Sequence, residues 1–272
     1  MKRIKKILRP ILAVAFVISL GMALWQVLQY NVGQQSNDQA QLIAFSNTIP
    51  ETVSQGLAEI PDWTVPLSEK TPELPWDESA KFLQEINVWG LRQINPDVLG
   101  WLYIPNTVIS YPLMQTDEQA YYLHTSWDNK YSKSGSIFLE EKNSRDLTDF
   151  NTIIYGHHMA NGSMFGTLKY FKDQSFTEEH RLIYVCTADR IFRYEIFSVY
   201  DAPIDSDTYR LYFADEVAKQ KALDHFNSSN LLDLGLEAQP EDQILTLSTC
   251  TGTGVYTSRI VVQAVLTGQW KK

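Results

Sequence analysis

The chain has 272 residues, of which 44% are hydrophobic, so it can bury a substantial core and is not a disordered protein. Its formal net charge is -9, and a nucleic-acid partner is disfavoured because proteins that bind DNA or RNA present a basic face. The two cysteines are too few for a disulfide scaffold or a cysteine-based zinc site.

The N-terminal segment has the pattern of a membrane anchor. Residues 1–10 are basic, and residues 11–30 form an almost uninterrupted apolar run that is long enough to cross a bilayer as a helix. The basic flank predicts a cytoplasmic N-terminus, a single pass through the cell membrane and an extracellular chain beyond it. A cleaved secretory signal peptide is the alternative, although its apolar region would be shorter and residues 33–36 offer only a weak cleavage site.

Residues 31–76 are predicted to form a stalk and a proline-rich linker. Residues 31–47 are polar with a few apolar positions, which favours a helical stalk. Five prolines from Pro50 to Pro75 then exclude a helix or a central strand. We expect this linker to be a spacer that holds the following domain, residues 77–272, off the membrane.

From Gly100 onward the chain is organised in short β-branched and aromatic runs, which favour an antiparallel barrel or sandwich. The runs cover Trp101–Ile104, Val108–Met114, Ser136–Leu139, Thr152–Tyr155, Leu182–Cys186, Ile191–Tyr200, Ile244–Cys250 and Ile260–Leu266. We expect a helix before these runs, with Asp77 as its cap and with Ile86 and Trp89 in the core.

Two helical insertions are expected to interrupt the β pattern. One follows Ser163, which would be its N-cap. The other extends over residues 213–226, in the long segment before the seventh run, and its buried side would carry Val217, Ala222 and Phe226.

The last two runs carry the pattern that points to catalysis. In the first of them Thr246, Ser248 and Cys250 alternate with apolar or neutral residues, so they share one face of the strand. A loop with glycines follows and Arg259 opens the next run, so a hairpin would bring Cys250 and Arg259 together. A thiol beside a fixed cation has its thiolate stabilised, and the thiolate is the nucleophile.

A cysteine nucleophile needs a proton donor or acceptor nearby, and two of the five histidines follow a strand end. His157 and His158 come after the apolar run 152–155 and a single Gly156, whereas the other three lie in polar stretches or on a helix flank. An imidazole at a strand end can protonate a leaving amine. Alternation alone does not decide which of the two points at Cys250.

Cys186, the other cysteine, is expected to be a packing residue of the core. Cys186 lies among apolar neighbours, without a glycine loop or an arginine placed as they are after Cys250. A disulfide between Cys186 and Cys250 stays open as an alternative, and it would abolish the nucleophile. No metal site or cofactor is expected, because the carboxylates form no loop with calcium spacing.

Four separated motifs, in the same order, resemble those of the sortases, the cysteine transpeptidases of Gram-positive cell surfaces, and more specifically class B. They are residues 100–107, 135–139, 155–166, and 246–250 with Arg259. The resemblance covers residues 77–266. It implies a mainly β fold, a closed eight-stranded barrel with an N-terminal helix and a helix in the long loop before the penultimate strand.

The resemblance also implies roles for individual residues. Cys250 would be the nucleophile, and His157 would be the general acid and later the base, because the family places its histidine directly after the glycine. Arg259 would stabilise the tetrahedral oxyanion or clamp the substrate backbone. Three residues that flank the motifs are expected to line the substrate groove: Tyr155, Ser248 and Thr251.

The implied reaction cleaves a C-terminal sorting motif of a surface protein after its threonine and holds the acyl group as a thioester. The acyl group then passes to an amine of the peptidoglycan cross-bridge or of its lipid-linked precursor. Three alternatives are open: a class B enzyme that polymerises pilins, a thiol hydrolase that releases the acyl group to water, and a non-catalytic, membrane-anchored surface binding protein.

Overall fold

The computed structural model describes residues 2–45, 78–118, 121–250 and 257–272, and a β-barrel is its centre. In these residues, eight strands close into one barrel in the order β1-β2-β3-β4-β7-β8-β6-β5. The strands are β1 (Val98–Tyr103), β2 (Ser110–Met114), β3 (Ile137–Leu139), β4 (Asn151–Gly156), β5 (Leu182–Cys186), β6 (Arg190–Pro203), β7 (Ile244–Cys250) and β8 (Ser258–Lys271). All eight predicted runs are therefore strands, and the closed barrel is confirmed.

Two strand pairs of the barrel are parallel, so the expectation of an antiparallel sheet is wrong. They are β2 with β3 and β4 with β7. Parallel neighbours need a long crossover, and the chain provides one between Met114 and Ile137 and another between Gly156 and Ile244. Because parallel strands end at the same edge, the residues that follow β4 and β7 meet at one rim of the barrel.

The barrel interior is filled by alternate residues of each strand. In β7, Leu245 and Leu247 are fully buried in the main core cluster, which also contains Ile154 of β4. Thr246 lies on the opposite face of the strand, where its hydroxyl donates a hydrogen bond of 2.7 Å to Asn151. The predicted alternation is thus confirmed over residues 245–248.

Short helices surround the barrel. The predicted helix before the strands is divided into a 3₁₀ helix, Glu78–Glu85, and α2 (Val88–Ile94). Asn87 lies between the two helices and is the N-cap of α2, since its Oδ1 accepts a 2.8 Å hydrogen bond from Gly90 N. Trp89 is not in the core as expected: it is 46% exposed and lies under the guanidinium of Arg92.

The two insertions are helical in part. The first contains a 3₁₀ helix, Leu168–Lys172, that begins after Thr167 rather than at Ser163, followed by α3 (Gln174–Glu179). The second contains α4 (Glu216–Ser229), whose Ala222 and Phe226 are buried as expected. Val217 is 77% exposed, because it is nine residues, or about 2.5 turns, from Phe226 and therefore lies on the opposite side of α4. The predicted helix before the penultimate strand is confirmed.

The N-terminal helix α1 (Lys2–Ala44) has an apolar part and a part that packs on the barrel. Among the described residues, it is the one helix long and apolar enough to cross a membrane, and its most apolar window is not covered by protein. Its last turns are buried against Trp101 and its neighbours through Ala40, Ile43 and Ala44. The end of α1, which covers part of the predicted stalk, therefore contacts the barrel, and the predicted proline-rich linker lies outside the described residues.

Candidate active site

The β7–β8 hairpin brings the predicted nucleophile and the predicted cation together. The antiparallel register ends with Cys250 paired with Arg259, so the hairpin is confirmed. Residues 251–256 lie outside the described residues, and the prediction for Thr251 falls among them.

The parallel pairing of β4 with β7 places the predicted histidine at the same rim. The last pair in this register is Gly156 with Thr249. His157 and Cys250 are the next residues along the two strands. His157 directly follows β4, Cys250 is the last residue of β7, and Arg259 is the second residue of β8, so all three lie at one rim of the barrel.

A cavity of about 320 Å³ opens at this rim. Three residues singled out from the sequence, His157, Arg259 and Tyr155, lie on its wall. Further wall residues that the sequence analysis missed include Leu123, Glu140 and Tyr209.

The ring of His157 is held by the segment that connects β2 to β3. Its Nε2 lies 2.7 Å from the carbonyl oxygen of Leu123, which can only accept a hydrogen bond. Nε2 therefore carries a proton, and in the neutral ring the free lone pair is on Nδ1. The ring also stacks on His124, with 5.8 Å between the ring centroids.

The environment of His157 favours its neutral form. Burial lowers the pKa of His157, and the electrostatic effects of the neighbouring His124 and Arg259 act in the same direction. The hydrogen bond to Leu123 opposes this shift but does not cancel it. An imidazole that is neutral near pH 7 can accept a proton from a thiol and return it to a leaving group.

Arg259 lies over the ring of Tyr155, with its Cζ 5.8 Å from the ring centroid. In the part of the chain that the structure describes, no carboxylate forms an ion pair with Arg259. Tyr155 donates a hydrogen bond of 3.0 Å to Glu140 Oε2, and burial, reinforced by the charge of Glu140, raises the pKa of Tyr155. Tyr155 is thus a neutral platform beneath the guanidinium, and no carboxylate of the described residues occupies the N–H groups of Arg259 that a ligand would need.

Ser248 contacts the cavity through a neighbour rather than directly. It is fully buried in β7, and its Oγ is 2.9 Å from the hydroxyl of Tyr209. Tyr209 lies on the cavity wall and stacks on Tyr155 with 6.5 Å between ring centroids. Ser248 therefore fixes the position of an aromatic wall residue.

Comparison with known proteins agrees with this geometry. A family model described as Sortase domain matches residues 102–267. The chain belongs to the sortase family. It is 33% identical over 177 residues to sortase B of Listeria monocytogenes, covering 65% of this chain and 72% of that protein.

Solved sortase structures share the fold. A Staphylococcus aureus sortase B–substrate complex has a TM-score of 0.63 at 30% identity and covers 66% of this chain and 83% of its own. Sortase B from B. anthracis has a TM-score of 0.67 at 28% identity and covers 88% of this chain and 98% of its own. The predicted relation to class B sortases is confirmed.

The second histidine and the second cysteine considered in the sequence analysis have no place in this cavity among the described residues. His158 forms an isolated β-bridge with Met164 and is not among the described wall residues. Cys186 is a buried free thiol whose Sγ donates to the carbonyl of Leu83, so the disulfide alternative with Cys250 is wrong. Burial raises the pKa of Cys186 to about 11, which makes its thiolate scarce at neutral pH.

Of the wall residues that the sequence analysis missed, only some have a sequence pattern that could have identified them. Glu140 directly follows β3, so the strand-end criterion that selected His157 would also have found it. Leu123 contributes its backbone carbonyl, which any residue type provides. Tyr209 ends a 3₁₀ helix, Asp207–Tyr209, inside the long insertion, where no local pattern indicates a contact with β4. No group of three or more potential metal ligands occurs among the described residues.

Proposed function

We propose that this sortase is a cysteine transpeptidase that cleaves a C-terminal sorting motif after its threonine and attaches the protein to the cell wall. The acceptor would be an amine of the peptidoglycan cross-bridge or of its lipid-linked precursor. Membership of the family supports cysteine transpeptidation in general. The observation that carries the residue roles is the strand register, in which Cys250 is paired with Arg259 and lies one residue beyond the pair formed by Thr249 and Gly156.

In the first half-reaction, the sulfur of Cys250 attacks the threonine carbonyl while the thiol proton moves to Nδ1 of His157. Arg259 donates hydrogen bonds to the oxyanion of the tetrahedral intermediate. The carbon–nitrogen bond then breaks, the leaving amine takes the proton from His157, and a thioester on Cys250 remains.

In the second half-reaction, the acceptor amine attacks the thioester and His157 takes a proton from that amine. Collapse of the intermediate forms the new amide and returns that proton to the thiol of Cys250. Tyr155, Ser248 and Thr251 are proposed to shape the groove for the sorting motif, with Ser248 acting through Tyr209.

The domain organisation that we propose is a cytoplasmic segment over residues 1–10, an anchor over residues 11–30, a stalk and proline-rich linker over residues 31–76, and an extracellular catalytic domain over residues 77–272. The apolar part of α1 and the basic residues before it support this orientation. An anchored enzyme meets membrane-held substrates at a raised effective concentration. Surface proteins with a sorting motif are its proposed partners.

The test is mass spectrometry of the full chain after incubation with a library of sorting-motif peptides, with Cys250→Ala as control. We expect a mass gain on Cys250 that disappears when a triglycine or diaminopimelate amine is added, together with a peptide–amine product. Free acid alone in the presence of amine would indicate a hydrolase. Transfer to a pilin lysine peptide alone would indicate pilus polymerisation, and no adduct on the wild-type chain would favour a binding protein.

A further inference from the structure

One turn of α1, residues 33–37, rests on the crossover that connects β2 to β3. We call these residues the docking turn. The indole Nε1 of Trp127 donates a 2.7 Å hydrogen bond to the carbonyl of Ser36, and Ser36 Oγ donates a 2.6 Å hydrogen bond to Asp128 Oδ1. Trp127 and Ser36 are both buried, so these bonds form in a dry contact.

The docking turn approaches the crossover closely at Gly33. A Cβ placed on Gly33 would lie 2.3 Å from Ser134 Oγ and 2.8 Å from Ser132 Oγ. These two hydroxyls are themselves hydrogen-bonded at 2.8 Å. The helix backbone can reach the crossover only because residue 33 has no side chain.

Backbone hydrogen bonds within the crossover connect the residues near Gly33 to the residues on either side of Leu123. The backbone N–H of Ser132 donates to the carbonyl of His124, and the N–H of Ser136 donates to the carbonyl of Tyr122, each at 2.9 Å. Leu123 lies between Tyr122 and His124, whose carbonyls are both held by these hydrogen bonds. Its own carbonyl accepts the hydrogen bond from His157, so a shift of the crossover would move the acceptor that orients the imidazole.

The same turn also contacts the loop that follows β4. Asn37 Nδ2 lies 3.6 Å from Met164 Sδ. The next residue, Phe165, donates its backbone N–H to the carbonyl of His157 at 3.0 Å. The docking turn therefore touches both the loop that holds the backbone of His157 and the crossover that holds its ring.

We propose that the docking turn of α1 is a positioning element for His157. By fixing the Leu123 carbonyl it keeps the proton of the imidazole on Nε2, so that Nδ1 is available to Cys250. This inference rests on the proposed function, because it assigns the docking turn a role in that reaction. Gly33 and Ser36 are then positioning residues that act through Leu123.

Gly33→Ala in the full chain, reconstituted in nanodiscs, tests the proposal. The matched control is Gly21→Ala on the same helix, where a Cβ meets nothing within 4 Å. We expect Gly33→Ala to lower kcat of transpeptidation by about tenfold to a hundredfold with little change in KM, because displaced catalytic groups react slowly. Adding Ser132→Ala and Ser134→Ala removes the clashing hydroxyls and should restore kcat, since the Cβ of Ser134 is 3.5 Å away.

Nitrogen-15 NMR of labelled histidine gives a readout that does not depend on turnover. We expect the Nε2–H tautomer of His157 to dominate in the wild type and in Gly21→Ala, to decrease in Gly33→Ala, and to return in the triple variant. A wild-type kcat and tautomer in a folded Gly33→Ala chain would overturn the proposal, as would a triple variant that is not rescued. If Gly33→Ala does not fold, Ser36→Ala replaces it with the same readouts.

The two proposals can fail separately. If the wild-type chain forms no thioester adduct, the proposed function fails, yet the tautomer shift of His157 in Gly33→Ala can still be measured. If the adduct forms and the tautomer does not respond to Gly33→Ala, the positioning role of α1 is lost while transpeptidation stands.

Discussion

The carbonyl oxygen of Leu123 and Nε2 of His157 are 2.7 Å apart, and this contact decides which nitrogen of the imidazole can take up a proton. A backbone acceptor cannot donate, so it holds the ring in one tautomer without adding a charge. The result is a histidine whose ring is oriented by the fold and whose pKa is lowered by burial.

The first prediction separates the two adjacent histidines. His157→Ala should lower kcat/KM by about 10²- to 10⁴-fold, the usual contribution of a general acid–base residue. His158→Ala should change kcat/KM little, because His158 pairs with Met164 away from the cavity wall. Both variants are measured in the same transpeptidation assay, and equal losses would contradict the assignment.

Arg259 gives a second prediction. Arg259→Ala should lower kcat by about 10²- to 10³-fold, as expected when one oxyanion donor is removed. Arg259→Lys should recover little of this loss, because an ammonium group lacks the planar fork that lies over Tyr155. An Arg259→Ala enzyme with full kcat would remove Arg259 from the mechanism.

The hydroxyls of Ser248 and Tyr209 should act as a unit. Ser248→Ala and Tyr209→Phe should each raise KM for a sorting peptide by about two- to tenfold, which corresponds to the usual worth of one hydrogen bond. The double variant should be no worse than the worse single variant, because both changes break the same 2.9 Å contact. Fully additive effects in this double-mutant cycle would show that the pair is not coupled.

Thiol labelling tests the contrast between the two cysteines. A thiol-reactive reagent should modify one group per native chain at pH about 8, since burial holds the pKa of Cys186 near 11. Mass spectrometry should place the label on Cys250, and Cys250→Ala should take up none until denaturant is added. Rapid labelling of native Cys250→Ala would mean that Cys186 is accessible.

The pH dependence of stability should report the burial of His157. Burial makes the folded-state pKa of His157 lower than that of the unfolded chain. The unfolded chain therefore takes up a proton first as the pH falls, so the stability contribution is complete above the unfolded pKa of about 6.5 and is lost below it. In thermal unfolding, the Tm of His157→Gln should improve relative to wild type between about pH 7 and pH 5. A Tm difference that is independent of pH would contradict the lowered pKa.

The strands were predictable because each has a local signal of alternating or β-branched residues. The β7–β8 hairpin followed from the same signal, since its two runs are close in sequence. The parallel pair of β4 with β7 was not predictable, because the pairing of two strands about 90 residues apart depends on the whole barrel. Val217 was misplaced because nine residues separate it from Phe226, about 2.5 helical turns, so the two do not share a face. Trp89 was misplaced because the predicted helix is broken at Asn87, so the spacing counted from the residues before the break does not continue through α2.

The candidate site was predictable only in its side chains. Cys250, His157 and Arg259 are of residue types that carry chemistry, and each stands at a strand terminus. The Leu123 carbonyl is invisible in the sequence because every residue has one. The contact of α1 with the crossover was hidden for a related reason, since Gly33 contributes by lacking a side chain.

The uninterrupted course of α1 has a consequence for which proteins the enzyme can serve. The ring of Trp25, near the end of the apolar stretch, lies 4.3 Å from Nζ of Lys133 on the β2–β3 crossover. Along the helix axis, Trp25 and Gly33 are about 12 Å apart at 1.5 Å per residue. If the apolar part of α1 spans the bilayer as we propose, this continuous helix sets the height of the cavity above the lipid. We expect clients whose tether between motif and membrane is shorter than that height to escape cleavage, however well the motif itself fits.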